Sequence, residues 1–192
     1  LLDADFTFVD KYLAAIYRLP ESKTLRLKDG FRKVKLSEKD RRGGILGMAA
    51  VLTVSANGVD TSPVTRGVFV SENILGVIPP PPPDEVPPIE PDIRGATTLR
   101  ERLEKHRESK TCADCHRKID PLGFGLETFD ELGRWRTHYP RSGKPLFVKK
   151  APKLKVDSSG EMPSGQEFTG FSELRDILVS TRSEVFTKHL IT

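Results

Sequence analysis

Two thiols and an imidazole stand within five residues, Cys112-Ala113-Asp114-Cys115-His116, and these are the only two cysteines among 192 residues. Cys-x-x-Cys-His is the attachment sequence of a c-type haem. One helical turn can present both sulfurs to the vinyl groups on one side of a porphyrin. The next residue then projects its imidazole onto the iron. Three other chemistries use the same side chains. Structural zinc needs four ligands, and Cys112, Cys115 and His116 would need an isolated fourth. A thioredoxin-like dithiol expects a strand running into a helix within a βαβ unit, but the preceding pattern is helical. A disulfide across one turn would constrain little chain. The spacing is therefore read as one haem c, covalent through Cys112 and Cys115, with His116 as the proximal iron ligand.

A ligating histidine donates its other ring nitrogen to an acceptor that fixes the ring. The turn carbonyls around Asp120-Pro121 are the nearest in sequence, which makes Pro121 part of the expected pocket. Arg134, Trp135 and Arg136 are the candidate partners of the haem propionates, while Arg117 and Lys118 read as solvated charges. The sixth iron ligand divides two functions. His106, on the apolar face of the preceding helical pattern, is the first candidate. Met162, before Pro163, is the second, followed by Met48, His138 and an open site. Two protein ligands favour electron transfer, and an open iron allows peroxide chemistry. The leading expectation is a mono-haem module passing single electrons to a redox partner or to other domains of the same polypeptide. The alternatives are a peroxidase-like haem enzyme and a structural docking domain.

Several elements must position these groups. Phe6, Val9, Leu13 and Ile16 repeat at helical spacing, which predicts a helix from Asp3 to Tyr17 with Asp3 or Asp5 as N-cap and Pro20 as the stop. Phe31 to Leu36 alternates like a strand. The apolar, glycine-rich stretch Gly43 to Leu52 suits a close-packed helix or a loop. Ser62-Pro63 opens a helix with a hydroxyl N-cap and proline at N1, and Gly76 closes it. Pro79 to Pro91 holds eight prolines in thirteen residues. Such a run reads as a polyproline II strap of about 40 Å joining two halves. Thr98 to Glu101 is a capping box for a helix to about Ser109. A glycine turn over Asp120–Gly125 precedes a short helix from Leu126 to Leu132. Leu146–Val148 and Leu154–Val156 suit short strands, and Ser172 caps a last helix carrying Leu174, Ile177, Leu178 and Phe186. His189 and Leu190 continue its face.

The 31 Lys and Arg against 27 Asp and Glu give a net charge of +4, with no like-charge block. That argues against a dedicated nucleic-acid binder. No apolar run approaches the roughly 18 residues of a transmembrane helix. The start lacks an initiator Met and a basic signal-peptide opening, and the chain reads as a fragment of a longer protein. Haem c is installed outside the bacterial cytoplasm, which predicts a periplasmic, cell-surface or secreted location. The expected fold is mainly α, with cytochrome-c-like helices around one haem, long loops and a few short strands. Its expected parts are an N-terminal segment (1–78), the strap (79–93), the haem module (94–146) and an incomplete final block (147–192).

Four stretches resemble the large secreted c-haem proteins of planctomycetes and related bacteria, whose blocks are catalogued as domains of unknown function. They are Asp5 to Leu13; Arg42 to Leu46 with Val51–Ser55, Thr61–Gly67 and Ile74–Gly76; Leu99 to Arg136; and Asp157 to Leu178. The third is the most specific, with Ile119-Asp-Pro-Leu-Gly-Phe-Gly-Leu-Glu127 and Phe129-Asp-Glu-Leu-Gly-Arg-Trp-Arg136 after the cysteine motif. The resemblance implies an exported, haem-bearing protein and supplies no reaction.

Overall fold

A computed structural model describes residues 1–20, 30–56, 61–80, 100–101, 103, 110–139 and 154–190. Among these residues the architecture is mixed, not mainly α: five α-helices and two small antiparallel sheets. The elements run β1 (Phe6–Val9), α1 (Lys11–Ile16), β2 (Arg32–Lys35), α2 (Ala49–Val54), α3 (Pro63–Asn73), α4 (Lys110–Phe124), β3 (Gly160–Glu161), β4 (Glu167–Phe168) and α5 (Phe171–Leu190). Short 3-10 turns cover Glu38–Asp40 and Ile45–Gly47. The expected strap beyond Pro80, the capping box at Thr98 and the strand at Leu146–Val148 lie outside the described residues.

The helix expected from Asp3 is two elements. Phe6-Thr-Phe-Val9 is aromatic and β-branched, and it alternates, with Thr7 and Val9 buried and Phe8 exposed. It pairs antiparallel with β2, Phe6 opposite Lys35 and Val9 opposite Arg32. The true helix start is Asp10, whose carboxylate accepts the Leu13 N–H at 2.7 Å. Strand pairing outcompetes the helical spacing of Phe6 and Val9 because it satisfies the backbone of both segments.

α3 starts as its sequence requires. The Ser62 hydroxyl accepts the Thr65 N–H at 3.2 Å, and Pro63 occupies the first helical position. Gly76 takes a left-handed φ of 61° beyond the helix end. α4 departs from expectation, since it continues through Asp120 and Pro121 to Phe124 where a glycine turn was predicted. The reason is its contact with α3. A Cβ on Gly123 would lie 1.7 Å from the Pro63 carbonyl oxygen, and one on Gly67 would lie 2.1 Å from that of Ile119. Each helix offers a glycine to the other's backbone. Gly67 and Gly123 therefore permit close packing, and the chain turns only from Gly125.

The helix expected over Leu126–Leu132 is absent. The chain there makes tight turns, closed by an isolated bridge between Phe129 and Trp135. Leu154–Val156 contributes only a bridge between Lys155 and His138. α5 begins at Phe171, so Ser172 lies within it and does not cap it. Leu174, Leu178 and Phe186 are buried as expected, and the side chains of His189 and Leu190 lie outside the described residues.

The main core joins Leu46 and Leu52 with Val70 of α3, Ile74 at its C-cap, Leu122, Phe129, and Leu174 and Leu178 of α5. A smaller cluster packs β1, α1 and β2 through Val9, Ala14, Tyr17, Val34 and Leu36. Arg42 bridges the two. Its guanidinium lies 3.6 Å from the Tyr17 ring centre and 5.4 Å from that of Phe129. Its Nη1 donates to the Gly47 carbonyl at 2.8 Å and its Nη2 to that of Gly133 at 2.9 Å. Burial lowers the Arg42 pKa to about 10, against the opposing influence of Tyr17 and Asp40.

Gly123→Ala should force α3 and α4 apart and cost about 2–3 kcal/mol, the upper range for overpacking. A urea midpoint unchanged from the parent would show that this close approach does not hold the helices.

Candidate functional site

Three groups of polar side chains are candidates for a site. The first lies on α4. His116 Nδ1 is 2.9 Å from Asp120 Oδ1, one turn along, with 13% of the His116 side chain and 1% of the Asp120 side chain exposed. A carboxylate only accepts, so Nδ1 carries the proton of this bond. The orienting group is therefore the Asp120 side chain, not the turn carbonyls expected. Cys115 is a half-buried free thiol in the preceding position. The side chain of Cys112, although its backbone is helical, lies outside the described residues, as does all of His106.

Alongside Asp120 opens a cleft of about 260 Å³, bounded by Pro121 and Phe124 of α4, Arg100, and Met162-Pro163 after β3. Met162 is 5% exposed. The Arg100 guanidinium lies 4.0 Å from the Phe124 ring centre, pairs with Asp157 at 2.8 Å and donates to the Ser159 carbonyl at 2.6 Å. Burial alone would raise the Asp157 carboxyl, but hydrogen bonds from Ser159 and the charge of Arg100 outweigh it and hold it below its usual value. The structure thus brings Pro121 and Met162 to one cleft beside the Asp120 that holds His116. It leaves Met48 elsewhere, at the start of α2, and places His138 on the surface with its Nδ1 3.0 Å from the Thr137 hydroxyl.

The second group is buried and was not foreseen. Arg66 of α3 has no exposed side-chain surface, and neither has Glu127, 3.2 Å away. Arg66 Nη1 also donates to the carbonyls of Leu126 at 2.9 Å and Phe129 at 2.7 Å, and Nη2 to that of Asp130 at 2.9 Å. The other carboxylate oxygen, Glu127 Oε2, accepts from Thr61 at 2.9 Å, Arg136 Nη2 at 2.9 Å and Tyr139 at 3.1 Å. Arg136 Nε donates to the Glu127 carbonyl at 2.9 Å and its backbone N–H to that of Thr128 at 2.7 Å. Every carbonyl from Leu126 to Asp130 therefore finds a donor on Arg66 or Arg136. That is why this segment can be irregular and buried at once. Burial pulls the Arg66 pKa below its usual value, while Glu127 opposes the shift. Burial and the adjacent Glu127 charge push the Tyr139 phenol well above its usual value. Single residues such as Arg66 and Glu127 carry no spacing that marks them. The only available signal was a charged residue within each of two apolar stretches.

The third group lies apart. Trp135 packs edge-on against Phe129, ring centres 5.3 Å apart, and lines a separate cleft with the loop at Ser37–Gly43 and the start of α5. Arg134 is on the surface, bonded to Asp130 at 2.6 Å, which raises its pKa. The three residues expected to share the propionates thus diverge: Arg136 serves Glu127, Trp135 faces another cleft and Arg134 pairs locally.

A family model described as PSCyt3, protein of unknown function (DUF1588), matches residues 42–139. The chain belongs to this family. No curated protein and no solved structure matches it. The PSCyt3 segment runs from Arg42 to Tyr139 and so contains the whole Glu127 network and the His116–Asp120 pair. Met162 and α5 lie outside it.

The expectation of one covalent haem c is corrected. Among the described residues no group of three or more His, Cys, Asp and Glu side chains is placed to hold a metal ion. The residues assigned to the propionates are engaged elsewhere, and the matching family is one of unknown function. The Cys112–His116 spacing remains a feature of the sequence, and no iron ligand is assigned on it. No helix among the described residues is long and apolar enough to cross a membrane.

Asp120→Ala should release the His116 ring. Nitrogen-15 NMR of the neutral imidazole should show the Nδ1–H tautomer in the parent and a shift toward Nε2–H in the variant. The same tautomer in both would mean that Asp120 does not orient the ring.

Proposed function

We propose that this chain is an electron-transfer module of a larger exported protein, with the helical segment Cys112–His116 as its redox-active element. The observation that carries this reading is the His116–Asp120 pair beside Cys115: an imidazole held by a buried carboxylate, one residue from a sulfur. Residues 112 and 115 lie on one face of α4, since positions three or four apart on a helix are neighbours. The side chains themselves supply a dithiol. When Sγ joins Sγ, its two thiols release two protons and pass two electrons to a redox partner, which is reduced by the same two electrons; the reverse step takes them back. Cβ atoms so spaced are about 5–6 Å apart on a helix, against about 3.8 Å in a relaxed disulfide. Closing that bond would loosen the turn. An exported location rests on the resemblance of the sequence to secreted proteins and on nothing in the fold.

The packing suits such a role. α4 is pinned against α3 by the Gly67 and Gly123 contacts, so the segment is held on a rigid element. The surface near it is basic on one side, with Arg117 and Lys118 exposed, although Arg117 pairs with Asp114 at 2.7 Å.

Voltammetry of the purified chain on an electrode tests the reading. A reversible wave is expected, and it should disappear when Cys112→Ser and Cys115→Ser are combined. A chain with no wave, or a wave that survives loss of both sulfurs, would contradict it.

A further inference from the structure

We propose that the outer face of the β1–β2 sheet docks on an anionic lipid bilayer. Successive side chains of a strand point to opposite faces. Thr7 and Val9 of β1 and Val34 of β2 are buried, so Phe6, Phe8, Lys33 and Lys35 share the other face. Phe6 stands opposite Lys35, and Phe8 opposite Lys33. Phe31, one residue before β2, keeps the alternation of Lys33 and Lys35. Phe8 is 53% exposed and Phe31 63%. Exposed rings gathered on one face mark an interaction site, whereas the same rings scattered singly need no explanation.

The charge of the sheet selects an anionic partner. Over residues 5–12 and 31–36 the bases are Lys11, Arg32, Lys33 and Lys35, all exposed. The acids are Asp5 and Asp10, and Asp10 is engaged in capping α1. Asp5 lies 3.7 Å from Lys35 Nζ, but both side chains stand largely in water, where such a pair is screened and weak. Lys33 Nζ lies over the Phe6 ring, 3.9 Å from its centre. The next element repeats the pairing of ring and ammonium: Lys11 Nζ is 5.0 Å from the ring centre of Tyr12, which is 68% exposed.

Size and ring geometry decide among anionic partners. Two strands of four residues cover about 13 Å by 10 Å, a footprint of about 130 Å². A stable protein interface takes about 800 Å² from each partner, so this face alone is too small for one. A single-stranded nucleic acid stacks its bases on open ring faces. Here Lys33 occupies a face of Phe6, and Phe8 meets Phe6 edge-on, ring centres 6.1 Å apart at 88°. A bilayer surface asks for less. Aromatic rings settle at the headgroup level, and lysines beside them reach the lipid phosphates.

Co-sedimentation of the full chain with vesicles tests the docking. At low salt the chain should bind vesicles of equal parts phosphatidylcholine and phosphatidylglycerol, but not phosphatidylcholine alone, and added salt should release it. Lys33→Gln combined with Lys35→Gln should weaken binding roughly twentyfold, at about fivefold for each basic residue near the surface. Phe8→Ser combined with Phe31→Ser should weaken it by about tenfold or more, since both rings leave water on docking. All four positions are exposed, where substitutions change stability little. Lys155→Gln, exposed and outside this sheet, should leave binding unchanged. No binding to the mixed vesicles would overturn the proposal, as would a loss with Lys155→Gln equal to that with Lys35→Gln alone. So would binding indifferent to the two phenylalanines, or ring-dependent binding of a single-stranded oligonucleotide as tight as that of the mixed vesicles.

Discussion

A guanidinium with no exposed surface must find acceptors within the protein, and the fold is arranged so that Arg66 does. Its terminal nitrogens reach Glu127 and the carbonyls of Leu126, Phe129 and Asp130. Those groups lie just beyond α4, sixty and more residues along the chain. A buried ion pair is weak evidence of stability on its own, because desolvating two charges offsets much of their attraction. Here the guanidinium also supplies donors to three carbonyls of the turn. Arg136 completes the remainder from the other side while pairing with the second oxygen of Glu127. Removing one partner would strand both a charge and a set of carbonyls.

The rest of the site depends on that arrangement. The turn at Leu126–Asp130 fixes where Phe129 enters the core, where it meets Trp135 and Phe171 edge-on. It also follows the end of α4, the helix on which Asp120 holds His116 and lines a cleft with Met162. The glycine contacts between α3 and α4 bring Arg66 near enough to reach the turn. A PSCyt3 segment running from Arg42 to Tyr139 encloses the arginine network, the turn and the α3–α4 contact, while Met162 and Phe171 lie outside it. The assembly is a scaffold of buried arginines, with the cysteine motif carried on its central helix.

Much of this was legible in the residues. Ser62-Pro63 marks a helix start because its hydroxyl and its missing N–H both solve the same problem of unpaired donors. Phe31–Leu36 alternates, and Arg32–Lys35 within it is a strand. The faces of α5 follow from its apolar spacing. The misreadings share one cause, that local pattern yields to a distant partner. Phe6 to Ile16 has helical spacing, yet β2 takes its first four residues as a strand. Gly123 looks like part of a turn, but the helix runs through it and the backbone of Pro63 fills the space where a Cβ would stand. Leu126–Leu132 looks helical, but its carbonyls belong to arginines elsewhere in the chain. Three neighbours in sequence, Arg134, Trp135 and Arg136, face three different partners.

Urea unfolding of Glu127→Gln, alone and combined with Arg66→Met, tests the dependence on this pair most directly. Loss of the Glu127 charge should leave Arg66 and Arg136 uncompensated and cost about 3–5 kcal/mol. The double variant should lose clearly less than the sum of the two single losses, since partners in one network couple. A single variant within about 0.5 kcal/mol of the parent, the range of an ordinary surface change, would contradict the account, and so would strict additivity.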